Sequence, residues 1–261
     1  MASDNRFAVL IDADNVSVKY IKIILDEISK AGIATYKRIY GDWTNPSLIS
    51  WKSTLLDNSI IPVQQYSYTT GKNSTDSAMI IDAMDILYSG RVEGFCLVSS
   101  DSDFTRLAAR LRESGMTVIG MGESKTPNSF IAACNKFKYL DILSAADEAE
   151  AEEAAPKAEP AKKPAAQPKK TAQKAAAKKP KEEPKAEKEP KPAEPKKQQE
   201  KAIEEPRTSL RTIRRALRTI VRENSDEDNW IMVSQVGNLL DKRYTDFDVR
   251  NFGFSKLTPF L

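Results

Sequence analysis

The stretch FAVLIDADNVS (residues 7–17) decides how the rest of the chain is read. Five apolar residues, Phe7 to Ile11, stop abruptly at Asp12, Asp14 and Asn15. A short unbroken apolar run bounded by polar residues is the pattern of a fully buried strand. A second stretch, FCLVSSDSDF (95–104), repeats the design with Asp101 and Asp103. One acid after a strand needs no explanation beyond the polarity of loops. Two strands built alike suggest carboxylates delivered to one site.

Working outward, strand and helix patterns alternate. Strands are expected at 7–13, 34–41, 59–66, 94–100 and 116–122. Between them, SVKYIKIILDEISKAG opens with a possible cap at Ser17 and stops at Gly32. NPSLISWKSTLLDN carries Pro46 in a first-turn position. STDSAMIIDAMDILYSG places Met79, Ile80, Ala83, Met84 and Leu87 on one helical face and ends at Gly90. DFTRLAARLRESG ends likewise at Gly115. This alternation predicts an α/β fold with a mostly parallel sheet and helices on both faces. Ligands of such sheets bind beyond the carboxyl ends of the strands, where Asp12 and Asp101 fall.

The chain has 261 residues, 40% of them hydrophobic, and a net charge of +3. That length and composition suit one or two domains with real cores. There is no apolar run long enough for a membrane span, and MASDNRF lacks the features of a secretory signal. Cys96 and Cys134 stand far apart without metal-ligand spacing, and Cys96 lies in an apolar run. A cytoplasmic protein with no membrane association is the expectation. The chain contains no histidine. This excludes Ser-His-Asp and Cys-His triads, histidine-based nucleases and His-ligated zinc. Any catalysis must use carboxylates, Lys, Ser, Tyr, Cys, or a metal held by oxygen.

Composition divides the chain at 1–144, 145–205 and 206–261. The middle segment is almost entirely Ala, Lys, Glu, Pro and Gln and has no aromatic residue. Such a segment cannot bury enough apolar surface to offset its ordering entropy, so a disordered linker is expected. Its basic centre, AAQPKKTAQKAAAKKPK, reads as a solvated spacer or a weak nucleic-acid contact. In the last segment, TSLRTIRRALRTIVRE sets Leu210, Ile213, Leu217, Ile220 and Val221 on one helical face. Arg211, Arg214, Arg215 and Arg218 occupy the remainder, as a solvated face or as a footprint for phosphates. A second helix turns Val236, Leu239 and Leu240 inward, and Trp230 is expected in this domain's core.

A third acid source lies between the two strand ends, because STDSAMIIDAMD places Asp76 in a first helical turn. Asp82, six residues on, faces elsewhere and is expected to anchor or support, with Asp85 at the surface. Gathering Asp12, Asp76, Asp101 and Asp103 in one pocket is costly without cations. A divalent cation resolves the conflict, and all-oxygen ligation favours Mg or Mn. The matching chemistry is phosphodiester hydrolysis without a histidine base. Asn15 is expected to hydrogen-bond a ligating carboxylate and Ser99 or Ser100 a phosphate oxygen. Lys72 reads as a phosphate contact or a solvated loop lysine, and Trp43 and Tyr68 as base-stacking or packing residues.

VLIDADNVS, STDSAMIIDAMD and LVSSDSDFTRLAARLRESGMTVIGMG together resemble the NYN domain, in the LabA-like branch of the PIN-like nuclease superfamily. The resemblance covers residues 6–143 in order. It implies a Rossmann-like three-layer α/β/α sandwich with acids at the sheet's carboxyl edge, and metal-dependent ribonuclease activity. Position by position, Asp12, Asp76, Asp101 and Asp103 fall on the acidic motif and Asn15 on its adjacent Asn. Asp14 sits at a more variable position and is left outside the core set. WIMVSQVGNLLDKRYTDFDVRNFGFSKLTPFL resembles a LOTUS (OST-HTH) domain, a winged-helix module whose members bind RNA or a helicase partner. It ends at Leu261, where that family's β-hairpin wing normally follows. VLIDADNV also fits the opening motif of haloacid-dehalogenase-type phosphatases. That family needs a lysine before its final acidic pair, whereas here Asp101 directly follows Ser100. The leading expectation is a metal-dependent ribonuclease with a tethered RNA-binding module. The alternative is a catalytically silent RNA-binding or regulatory scaffold.

Overall fold

The apolar run of the first strand, β1 (Arg6–Asp12), is buried from Phe7 onward. It lies between β2 (Ile33–Gly41) and β4 (Gly94–Val98), parallel to both. The computed structural model describes residues 5–66, 74–154, 208–226 and 230–261. With β3 (Ile61–Gln64), β5 (Thr117–Gly122) and β6 (Lys136–Tyr139), the strands form one parallel sheet in the order β3-β2-β1-β4-β5-β6. The chain leaves one edge after β3 and re-enters beside β1, so the switch point falls between β1 and β4. The five expected strands are present, with each end within two residues of its expected place. The sixth, KFKY, was not expected from the sequence, nor was the short helix α5 (Asn128–Ala133) before it.

Helices cover both faces. On one face α1 (Ile21–Ala31) and α2 (Trp51–Asp57) pack on Val9, Ile11, Cys96 and Val98. On the other, α3 (Ser74–Ser89) and α4 (Thr105–Glu113) cover Leu10, Phe95 and Leu97. Pro46 opens a single 3-10 turn ahead of α2, where its missing N–H costs nothing. Gly90 and Gly115 end their helices with φ near +64° and +81°, a conformation that strains any residue with a Cβ. Both cysteines are free and buried. No helix among the described residues is long and apolar enough to cross a membrane.

The sixth helix, α6 (Leu140–Ala154), runs ten residues past the composition break at 145, so the expected linker begins as helix. The C-terminal segment contains α7 (Leu210–Asn224), α8 (Val233–Arg243) and α9 (Leu257–Phe260). Ile213, Ala216, Ile220, Val236, Leu240 and Phe247 form its core, as the periodicity implied. Leu210 and Val221 stay largely exposed. Trp230 corrects the expectation: it is 76% exposed, and Phe247, Phe252 and Phe260 supply the aromatic packing instead.

This segment also docks on the sheet. The free edge of β6 gives the Phe137 N–H to the Thr245 carbonyl at 2.7 Å. Tyr139 donates its hydroxyl to Asp246, and Lys136 pairs with Asp241 at 2.8 Å. Arg250 reaches Glu27 of α1 with two hydrogen bonds, of 2.8 and 3.0 Å, and also bonds Asp248. Lys138 pairs with Asp248 from β6. A tethered module was the expectation; the two folded parts also share a partly buried ion-pair network.

Candidate active site

The register Ile11↔Val98 sets the residues that follow each strand side by side at the switch point. Asp12 is fully buried there. Its carboxylate accepts from the Ser99 hydroxyl (2.8 Å), the Asn15 amide (2.8 Å) and the Asp14 N–H (3.0 Å). Burial pushes the Asp12 pKa above the usual carboxylate value, and these three donors oppose that rise. Ser99 Oγ also accepts the Asp101 N–H at 3.0 Å, so one hydroxyl ties the two strand ends together.

The remaining acids gather in front. Asp76 enters from the first turn of α3, while Asp101 caps the 3-10 turn after β4 and Asp103 lies within it. Asp101 Oδ1 accepts the Asp103 N–H at 2.9 Å. One carboxylate oxygen from each of Asp76, Asp101 and Asp103 lies within 4.8 Å of the others. Asp76 is 8% exposed. Burial, then the charges of Asp12, Asp101, Asp103 and Asp14, push its pKa up to about 6. The four expected acids thus divide: three present oxygens to one point, and Asp12 stands buried behind them.

The supporting residues divide likewise. Asn15 bonds Asp12, as its position suggested. Ser99 is fully buried and occupied by Asp12 and Asp101, so it orders the acids and does not face a phosphate. Ser100 accepts the Glu123 N–H at 2.9 Å and joins the site to the end of β5. Asp82 lies away from the cluster, where it takes Arg38 and the buried Tyr40 hydroxyl and clamps α3 to β2. Lys72 and Tyr68 lie outside the described residues. Trp43 is half-buried, donating its indole N–H to the Val63 carbonyl at 3.1 Å. Arg211, Arg214, Arg215 and Arg218 are all exposed on α7.

Sequence reasoning missed Thr75. Its buried hydroxyl donates to Asp14 Oδ2 at 3.0 Å and fixes that carboxylate beside the cluster. It also missed Gly122, where an added Cβ would lie 2.7 Å from the Ser99 carbonyl and 2.6 Å from Thr126 Oγ1. Only the adjacency of Thr75 to Asp76 hinted at the first, and nothing local hinted at the second.

The donor set is entirely oxygen, which fits Mg²⁺ or Mn²⁺ better than zinc. Three converging carboxylates with an elevated pKa among them form a site that gains by neutralisation. A search of curated proteins finds no match. Among solved structures, the chain is similar to a protein of unknown function from Vibrio parahaemolyticus. The identity is 19%, over 53% of this chain and 96% of that one, with a TM-score of 0.45. The model of the OST-HTH/LOTUS domain matches residues 207–261. The model of the NYN domain matches residues 6–141, more than half of the sequence and all of the acidic site, and the chain belongs to the NYN domain family.

Proposed function

We propose that the protein is a metal-dependent ribonuclease whose C-terminal domain contributes RNA binding. The convergence of Asp76, Asp101 and Asp103 at the switch point of an NYN-family sheet carries this reading. These three residues would hold a divalent cation, Mg²⁺ or Mn²⁺. When bound, such an ion neutralises charge developing on a phosphodiester and makes water a competent nucleophile near neutral pH. The protein's own part is positioning. Asp12, held by Ser99, Asn15 and a backbone N–H, contributes negative charge from behind and fixes the ends of β1 and β4. Thr75 orients Asp14 at the rim. The exposed arginines of α7 supply the cationic surface that a polyanion requires.

Calorimetric titration of Mn²⁺ into the full chain and its Asp101→Asn/Asp103→Asn variant, paired with cleavage of fluorescent RNAs, tests the reading. Binding and cleavage are expected in the first protein and neither in the second. A folded wild-type protein that binds Mn²⁺ yet leaves single-stranded and structured RNAs intact would favour a silent RNA-binding scaffold.

A further inference from the structure

The outer side of α2, at the β3 edge of the sheet, is apolar where a surface is ordinarily polar. Ile49, just ahead of the helix, is 75% exposed, and Leu56, in its last turn, is 74% exposed. Beside them runs a groove of about 520 Å³. Leu55 and Ile60 lie buried at its floor, half-buried Trp43 and exposed Pro62 form its walls, and Lys52 stands at its rim. A groove with large apolar residues standing exposed beside it is the form of a surface that a protein covers.

The neighbouring edge does not invite an added strand. Gln65 gives its N–H to the Gly41 carbonyl at 3.1 Å, so by alternation Pro62 turns its nitrogen away from β2. An outward proline has no N–H to offer a further strand and blunts the edge. The opposite edge, β6, is met by the C-terminal domain through Phe137 and Thr245. A partner on the β3 side therefore docks by side chains, on α2 and its groove.

The residues of α2 complement a copy of themselves. Lys52, Ser53, Leu56 and Asp57 are all exposed on one side of the helix. Lys52 and Asp57 are five positions apart, outside the spacing of three or four at which residues of one helix meet. A two-fold axis that lays α2 antiparallel on a second α2, centred between these two residues, joins Lys52 of each copy to Asp57 of the other. The same axis sets Leu56 of each copy against the small Ser53 of the other and turns Ile49 toward the facing groove. Large side chains meet small ones and each charge meets its opposite, which is what a closed contact between identical surfaces requires.

We propose that this face is a dimer interface, on which a second copy of the chain packs α2 against α2 about a two-fold axis. Ile49 and Leu56 are its apolar anchors, and two Lys52–Asp57 pairs set its register. The pairing is separate from the ribonuclease reading, because none of these residues belongs to the acidic cluster. It leaves the C-terminal domain in place at the other edge of the sheet.

Sedimentation equilibrium of the full-length protein, at concentrations up to about 1 mM, tests this. Wild type should show a reversible monomer–dimer equilibrium. Leu56→Glu, a change at an exposed position, should raise the dissociation constant about thirtyfold or more, as the loss of an interface anchor does. Lys52→Glu alone should raise it about tenfold, because two attractive pairs become repulsive. Lys52→Glu/Asp57→Lys should bring it back to within about threefold of wild type, because both pairs are rebuilt with their signs exchanged. A wild type that stays monomeric would overturn the proposal and leave the groove to a different protein or to an apolar small molecule. A dimer indifferent to Leu56→Glu would overturn it equally, by placing the contact elsewhere. A double variant as weak as Lys52→Glu alone would overturn the two-fold pairing.

Discussion

Asp12 shows why a catalytic-looking acid can be more useful behind a site than in it. A carboxylate buried this deeply stays charged only if donors surround it, and Ser99, Asn15 and the Asp14 N–H do so. Ser99→Ala removes one of them and also strands the Asp101 N–H. It should lower the unfolding free energy by about 1–3 kcal/mol in a urea titration, the usual cost of an unsatisfied buried group. A midpoint unchanged from wild type would mean that Ser99 does not hold the acids. The sequence put Asp12, Asn15 and Ser99 in one neighbourhood. It did not reveal that Ser99 is turned inward, because that depends on Ile11 pairing with Val98 across 87 residues.

At the scale of elements, the strand ends are locked together through β5. The added Cβ at Gly122 would press on the Ser99 carbonyl at 2.7 Å, a backbone atom that cannot swing aside. Gly122→Ala should therefore destabilise the protein by about 1–3 kcal/mol and weaken Mn²⁺ binding through displacement of the loop after β4. Denaturant unfolding with parallel calorimetry checks both, and normal values in both would mean the loop relaxes freely. Strands β1 and β4 were legible because their apolar runs are unbroken. KFKY escaped notice because four alternating residues resemble many loops. Its lysines make sense only in three dimensions, where Lys136 and Lys138 meet Asp241 and Asp248.

At the scale of the molecule, Arg250 joins the two folded parts. Burial alone would raise the pKa of Glu27, but hydrogen bonds from Arg250 and Lys30 and the charges of Arg250 and Lys138 hold it below the ordinary value. Asp248 is likewise raised by burial and lowered further by Arg250 and Lys138. Arg250→Met leaves two carboxylates, each 8% exposed, without their main partner, at a cost of about 3–5 kcal/mol. With a protease site placed between residues 160 and 200 and then cut, the wild-type halves should co-elute on gel filtration and the variant halves separate. Separation of the wild-type halves would show that docking needs the tether. Both acids have depressed folded pKa values. Their contribution is thus complete above the unfolded carboxylate value near pH 4 and is lost as pH falls below it. Thermal unfolding from pH 7 to pH 3 should reveal that loss, and a smaller one in Arg250→Met.

The sequence by itself determined the alternation of strands and helices, the acids at the ends of β1 and β4, the exclusion of histidine chemistry and the apolar stripe of α7. Periodicity and composition are local, so they survive in one dimension. Only the tertiary structure decided which three carboxylates converge and that the C-terminal domain docks on β6 and α1. Those outcomes depend on contacts between residues as much as 223 positions apart, as Arg250 and Glu27 are. No local pattern carries such information, because the energy of a buried charge is set by what the fold places around it.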